Sequence, residues 1–385
     1  MYEHILFGRV DGEAGSSVTL VRSGHALVGS LRIPTWQKNY EIRPEGQQGT
    51  HLLMGLSEEE PGDCLAFNPP EPGEMDSDSG DSGIIGEDEN GEPVIDILVA
   101  STPAARESLG GADGIHALAL LGIEDTNQAF RNGGVNLQVR LVGELSLEQN
   151  ESGDFSQDLT DLKGMNDGRW DDVHSERTRL GADQVSLIGA YKSNTSVAGI
   201  GFIRASKSSA FTITRTSAFG QYTFTHELGH NIGLYHEDGY VNTSGRFKTI
   251  MAYGNYVRIR QFSDSTGSYL NYSIGDGSHN SIATIAANAF NFSNLVAPIT
   301  PLPTEPPPSN ETGPPAEGEG GSSVEPTNGE MNSEEPGGTS TSGENSTTST
   351  VGNENPPLNG EQSGTTPESP QEGEKVKICS PESGD

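Results

Sequence analysis

The residues with the most chemical content form one run, His226-Glu227-Leu228-Gly229-His230-Asn231-Ile232-Gly233-Leu234-Tyr235-His236. It reads H-E-x-x-H-x-x-G-x-x-H, a spacing that builds a catalytic zinc site. On a helix, side chains four residues apart sit nearly one above the other. His226 and His230 therefore face one side, close enough to share a metal. Glu227 is rotated about 100° from His226 and is better placed to handle a water than to join the pair. A continuous helix would carry His236 roughly 15 Å along the axis from His226, whereas zinc–nitrogen bonds span only ~2.0–2.1 Å. The chain must turn back first, and Gly233 is the residue able to take the positive φ that ends a helix.

Three neutral imidazoles leave one tetrahedral position open for water, as catalytic sites require. Bound zinc brings the pKa of water towards 7. Glu227 would take the proton as the water attacks a carbonyl, and pass it to the leaving amine. The candidate ligands are thus His226, His230 and His236, the cofactor is Zn2+, and Glu227 is the candidate general base for peptide-bond hydrolysis. A closed structural site, or a helix that merely carries histidines, is the alternative. Closed sites favour cysteine ligands and have no use for a glutamate beside the first histidine.

The extended motif resembles that of the metzincin clan of zinc endopeptidases. Thr249-Ile250-Met251-Ala252-Tyr253-Gly254 is similar to the methionine-containing turn that lies beneath the zinc in that clan, so Met251 is expected to pack under the histidines rather than ligate. Tyr253, two residues on, matches the tyrosine that astacin-like and serralysin-like members use to ligate zinc or stabilise the oxyanion. Its other reading is a packed tyrosine whose hydroxyl bonds elsewhere. Glu237 and Asp238 follow the third histidine, where animal reprolysins place aspartate directly. The layout looks more like the bacterial reprolysin-like secreted metallopeptidases. The resemblance covers residues 91–297 well, the first ninety loosely and the tail not at all. It implies an α/β catalytic domain at 93–297, with a twisted, mostly parallel sheet, helices and a zinc-binding active-site helix. It also implies a secreted, monomeric enzyme acting on protein or peptide substrates.

The remaining elements must position these residues. Residues 1–67 alternate short apolar runs with turns, as in Ser17–Val21, Ala26–Ile33 and Tyr40–Ile42, and read as a β-rich module. By position it looks like a propeptide. Residues 68–92 form an acidic Pro/Ser/Gly linker, a natural place for activation cleavage. A buried strand is expected at Pro93–Ala100, a helix at 111–131 through Ile115, Leu118, Leu121, Ile123 and Ala129, and a second strand at Val135–Val142. A helix near 168–180, a strand at Gln184–Tyr191 and further strands at Gly199–Ile203 and Phe211–Arg215 follow. The edge strand over the cleft should be among these. Strand–helix alternation implies an α/β sheet. The active-site helix should start near Tyr222–Phe224 and end by Gly233. A last helix is expected at 277–292, through Ile282, Ile285, Ala286 and Phe290. Residues 298–385, rich in Pro, Ser, Thr, Gly and Glu, read as a disordered tail, a spacer or a tether to the cell surface.

The chain has 385 residues and a net charge of -33. That charge and the lack of a basic patch argue against nucleic acid, and no apolar run approaches the ~20 residues of a membrane span. The N-terminus lacks a leader pattern, so the true start is expected upstream, and loss of a further C-terminal domain is a second expectation. Cys64 and Cys379 are the two cysteines, too few for a disulfide scaffold. Metzincin propeptides carry a cysteine that can occupy the open zinc position, so Cys64 is a switch candidate. A buried inert cysteine or a bond to Cys379 are the alternatives. His4, His25, His51, His116, His174 and His279 sit at no ligand spacing. Two rival functions stand beside the protease: a non-proteolytic stalked binding module that keeps the zinc site, and a hydrolase of small amides or cell-wall peptides.

Overall fold

The computed structural model describes residues 3–45, 49–56, 65–67, 88, 91–192, 197–297 and 378–379. Cys64, most of the 68–92 linker and nearly all of the tail lie outside the described residues.

Short apolar runs separated by polar and glycine-containing turns build an antiparallel meander from Glu3–Val10 (β1), Ser17–Ser23 (β2), Ala26–Ile33 (β3), Lys38–Glu45 (β4) and Thr50–Leu56 (β5). Ile378–Cys379 pairs on the outer edge of β1. The meander does not stand apart. Its β2 and β3 pack on the long helix of the following domain, through Val21, Ala26 and Val28 in a shared apolar core and through a buried polar cluster. Thr19 and Ser30 hydroxyls donate to the buried Asp125 carboxylate at 2.8 and 3.1 Å, and Arg260 donates to it at 2.8 Å.

The second sheet runs in the order β6-β10-β11-β9-β7-β8, formed by Leu65–Phe67 (β6), Val94–Ser101 (β7), Gln138–Ser146 (β8), Gln184–Gly189 (β9), Gly199–Phe202 (β10) and Phe211–Arg215 (β11). All its pairings are parallel except β10 with β11. Strand β7, between β9 and β8, is buried along its whole length. Ile95, Ile97 and Val99 face one core and Leu98 and Ala100 the other, the period-two split expected of a strand covered on both sides. One face carries Ala112–Asn132 (α2), after the short helix Pro103–Ser108 (α1), with the active-site helix Thr223–Ile232 (α5) and Ser281–Phe292 (α6) in the same core. The other carries Phe155–Lys163 (α3) and Asp172–Leu180 (α4). This is the expected α/β sheet with helices.

Three expectations need correction. The strand expected at 135–142 runs from Gln138 to Ser146. Gly133 and Gly134 end α2, and the Val135 amide bonds back to the Phe130 carbonyl at 3.0 Å, so Val135 belongs to the helix cap. The expected inward face of the last helix is also rotated. Ile285, Ala289 and Phe292 point inward at i, i+4 and i+7, while Phe290 is exposed. Finally, β10 is not the sheet edge, because β6 pairs with it in parallel, Ile200 opposite Leu65 and Phe202 opposite Phe67. An unpaired strand edge is a template for another strand, and the chain's own upstream segment supplies one.

Candidate active site

Helix α5 starts after Tyr222, which takes a left-handed φ of 60°, and every residue from Thr223 to Ile232 is buried. Side-chain and backbone bonds lock it in place. Thr225 bonds Thr126 of α2 at 2.8 Å, Asn231 Nδ2 donates to the Phe202 carbonyl at 2.8 Å, and the Arg204 amide donates to the His230 carbonyl at 2.8 Å. The helix stops at Gly233, whose φ is 119°. The Gly233 and Leu234 amides both reach the Gly229 carbonyl, at 3.2 and 2.9 Å, closing the last turn. The chain then reverses and brings His236 back, as its spacing requires.

The three imidazoles meet. His230 Nε2 is 3.1 Å from His226 Nε2 and 3.0 Å from His236 Nε2. Their ligand atoms all lie within 4.8 Å of one another, the one such group of histidines, cysteines and carboxylates among the described residues. His226 Nδ1 donates to the Ile250 carbonyl at 2.9 Å and His230 Nδ1 to the Leu234 carbonyl at 2.8 Å. Each bond places the ring hydrogen on Nδ1 and turns the Nε2 lone pair towards the common point. Burial pushes the His226 pKa well below the ordinary value, with further repulsion from His230, Arg258 and His236. Burial and the His236 and Arg258 charges bring His230 to about 3. Both rings are therefore neutral at physiological pH. Two neutral rings with facing lone pairs near 3 Å repel unless a cation sits between them. Tetrahedral zinc with bonds of ~2.0–2.1 Å separates its ligand nitrogens by about 3.3 Å, close to the observed spacing. The donor set fits a metal of that size.

Met251 is fully buried beneath the helix. A β-carbon at Gly229 would lie 2.7 Å from its sulfur, so the glycine inside the motif is what lets the turn approach. Tyr253 Oη is 3.0 Å from His236 Nε2, which brings the tyrosine into the histidine cluster. Glu227 is fully buried and its carboxylate reaches β10, since a β-carbon at Gly199 would lie 2.4 Å from Oε1. The three histidines and Tyr253 thus meet in one place, with Glu227 on the same helix and Met251 packed against Gly229. The other histidines do not: His116 bridges Glu3 and Glu144, His51 accepts from the Leu27 amide, and His279 bonds Asp276. The sequence reading missed Gly199, Gly229 and the carbonyls of Leu234 and Ile250. Gly229 at least stood inside the motif, whereas nothing local marks Gly199.

A mixed α/β sheet that places a histidine triad, a buried glutamate and a methionine turn at one helix defines a zinc metallopeptidase. The sequence matches the profile of the reprolysin-like metallopeptidase family M12B over residues 92–284, and the chain belongs to that family. It is similar to the peptidyl-Asp metalloendopeptidase of Stenotrophomonas maltophilia, 31% identical over 306 residues, covering 71% of each chain. It is also similar to that of Xanthomonas campestris pv. campestris, 27% identical over 68% of this chain and 66% of the relative. Among solved structures, metalloproteinase-II from Bacteroides fragilis aligns with a TM-score of 0.42 at 10% identity, over 71% of this chain and 79% of that one. Among the described residues, no helix is long and apolar enough to cross a membrane.

Proposed function

We propose that the chain is an endopeptidase that hydrolyses peptide bonds beside aspartate, with His226, His230 and His236 as zinc ligands and Glu227 as general base. The observation that carries the reading is the meeting of three Nε2 atoms, two held in the ligating tautomer by backbone carbonyls, next to a buried carboxylate. The preference for aspartate rests on the name shared by the relatives above. Zinc, when bound, supplies Lewis acidity and makes water acidic near neutral pH. Glu227 takes the proton of the attacking water and delivers it to the leaving amine. Tyr253 Oη, within the histidine cluster, donates to the carbonyl oxygen as charge develops on it.

Residues 1–67 are proposed as the propeptide of an exported enzyme. The support is β6, which pairs on β10 where an extended peptide would add as a strand. Mass spectrometry of the active species checks this. An N-terminus within 68–92 is expected, and full activity in a chain that keeps β1–β5 bound would refute it.

The central test compares zinc-loaded wild type with Glu227→Ala on an unfolded protein substrate, both after cleavage within 68–92 has released residues 1–67. Wild type should cleave it, and the variant should keep its zinc but lose turnover by at least about 10³-fold. Equal cleavage by both would remove Glu227 from the mechanism.

A further inference from the structure

Two ionisable side chains join the β1–β5 meander to the catalytic domain, and neither belongs to the histidine cluster. The first is Glu41 on β4, only 1% exposed. One of its oxygens accepts from the Gly220 amide at 3.1 Å. Gly220 belongs to the turn Thr216–Gln221 that leads into α5. A β-carbon at Gly220 would lie 2.7 Å from that oxygen, so only glycine admits the approach. From β3 the Arg32 guanidinium stacks on the Tyr222 ring, 3.9 Å from its centroid, and α5 begins at Tyr222. The meander thus grips the entry of the active-site helix at two adjacent points.

The second is His116 on α2, whose ring lies between two carboxylates. Its Nε2 is 2.9 Å from Glu3 of β1, and its Nδ1 is 2.8 Å from Glu144 of β8. A neutral imidazole has one N–H and donates to one of them, whereas the imidazolium donates to both. The clamp is complete only when the ring is protonated. One arm reaches into the meander and the other stays within the catalytic domain.

Burial pushes the Glu41 carboxyl up from 4.5 to about 7, outweighing Arg43 of its own strand, the Gly220 amide, Arg32 of β3 and Arg215 of β11. For His116, burial alone would lower the pKa, but Glu144 and Glu3 outweigh it and hold it above the ordinary value. A third charged contact at the seam, Asp125 with Arg260, lies wholly within the catalytic domain and receives only the Thr19 and Ser30 hydroxyls from the meander. When the meander leaves, Glu41 enters water and His116 keeps Glu144 alone. Both groups then bind their protons less tightly. Docking therefore takes up protons, so it is strongest below the free pKa values and weakens as pH rises through the docked ones. Above them an ionised Glu41 is shut in the seam at a cost, and His116 lets go of one carboxylate.

We infer that the meander docks through a pH-sensitive latch, made of Glu41 against the entry of α5 and His116 clamped between Glu3 and Glu144, which holds in mildly acidic surroundings and opens above neutrality. The latch rests on the propeptide reading above and makes release of the meander a response to rising pH.

The test uses the zinc-loaded full chain as Glu227→Ala, which spares the released piece from digestion, nicked within 68–92 by a second protease. Size-exclusion chromatography over a dilution series gives the dissociation constant of the meander. Between about pH 5.5 and about pH 8 it should rise by at least about 10-fold, since one extra bound proton is worth up to about tenfold per pH unit. Adding Glu41→Gln, neutral at every pH, should remove most of that rise, and Glu41→Gln with His116→Gln should leave less than about 3-fold. A parent constant that does not change with pH, or a double variant that keeps the full rise, overturns the latch. Thermal melting establishes that the variants are folded. Should they not fold, Glu3→Gln at the half-exposed end of the clamp decides. It should reduce the rise by about 2-fold, and an unchanged rise overturns the latch. Peptide cleavage by the nicked wild type, with the meander bound and released, separates the two readings. Full activity with the meander bound overturns the propeptide reading itself, whereas inhibition with a pH-independent constant overturns the latch alone.

Discussion

Gly199→Ala tests whether the position of the Glu227 carboxylate limits turnover. Gly199 opens β10 and is paired with Thr214, so an added methyl suits the strand backbone. The space does not suit it. The new β-carbon would stand 2.4 Å from Glu227 Oε1, 2.7 Å from Thr223 Cγ2 and 2.8 Å from Glu227 Cδ. Ordinary contact needs roughly 3.4 Å or more, so the carboxylate must retreat by about 1 Å. A displacement of that size at a reacting group costs on the order of 10²-fold in rate, about 2.7 kcal/mol of barrier. The three nearest neighbours of the new methyl belong to Glu227 and Thr223 and to no histidine, so zinc content should stay at the wild-type level. Gly201→Ala is the control, because its nearest neighbours lie at 3.2 Å and a few tenths of an ångström accommodate it. The assay is kcat on a fluorogenic peptide, with zinc measured on the same sample. A Gly199→Ala enzyme as fast as Gly201→Ala would refute the claim that Glu227 must sit where the structure places it.

Other expectations concern stability and metal retention. Burial raises the Glu41 pKa from 4.5 to about 7, against the lowering effects of Arg43, the Gly220 amide, Arg32 and Arg215. The folded state then keeps a proton that the unfolded state has lost, so stability is fullest below pH ~4.5 and falls by on the order of 3 kcal/mol as pH rises through 7. Urea unfolding across that range should show the fall in wild type and a flatter profile in Glu41→Gln; parallel profiles would contradict it. Gly233→Ala places a side chain at a φ of 119° and 2.9 Å from Asn288 Nδ2, which should disturb the return to His236. Its zinc should be lost to a chelator at least about 10-fold more readily, and unchanged retention would show that the break tolerates a side chain.

Much of the site was legible in the sequence because the motif is local. Helical spacing settles where His226 and His230 point, and a glycine after them settles where the helix must end. The observed helix, Thr223–Ile232 with Gly233 left-handed, agrees to within a residue or two. The long helix α2 was legible for the same reason, since Ile115, Leu118, Leu121, Ile123 and Ala129 are all buried. Less regular parts were not. Helix α3 carries Phe155, Leu159 and Leu162 at helical spacing behind an Asp154 cap, yet a run of nine residues gives too few repeats to stand out. Strand β6 has three residues and is defined by its partner β10, which local periodicity does not report.

What the motif cannot encode is the environment that makes its residues reactive. An imidazole ligates through whichever nitrogen lacks the hydrogen, and here that choice is made by carbonyl oxygens from outside the helix. The Ile250 carbonyl comes from the strand leading into the methionine turn and the Leu234 carbonyl from the residue after the glycine break. The turn reaches the helix only because Gly229 offers no side chain to Met251, and Gly239 likewise leaves room for the Ala252 backbone. The glutamate reaches β10 only because Gly199 leaves space. Each of these is an absence of side-chain volume at a position remote from its partner. A residue pattern shows glycine there but not what the missing volume admits. On the proposed mechanism the chemistry falls to His226, Glu227, His230 and His236, and their geometry depends on neighbouring segments that approach where glycine leaves space.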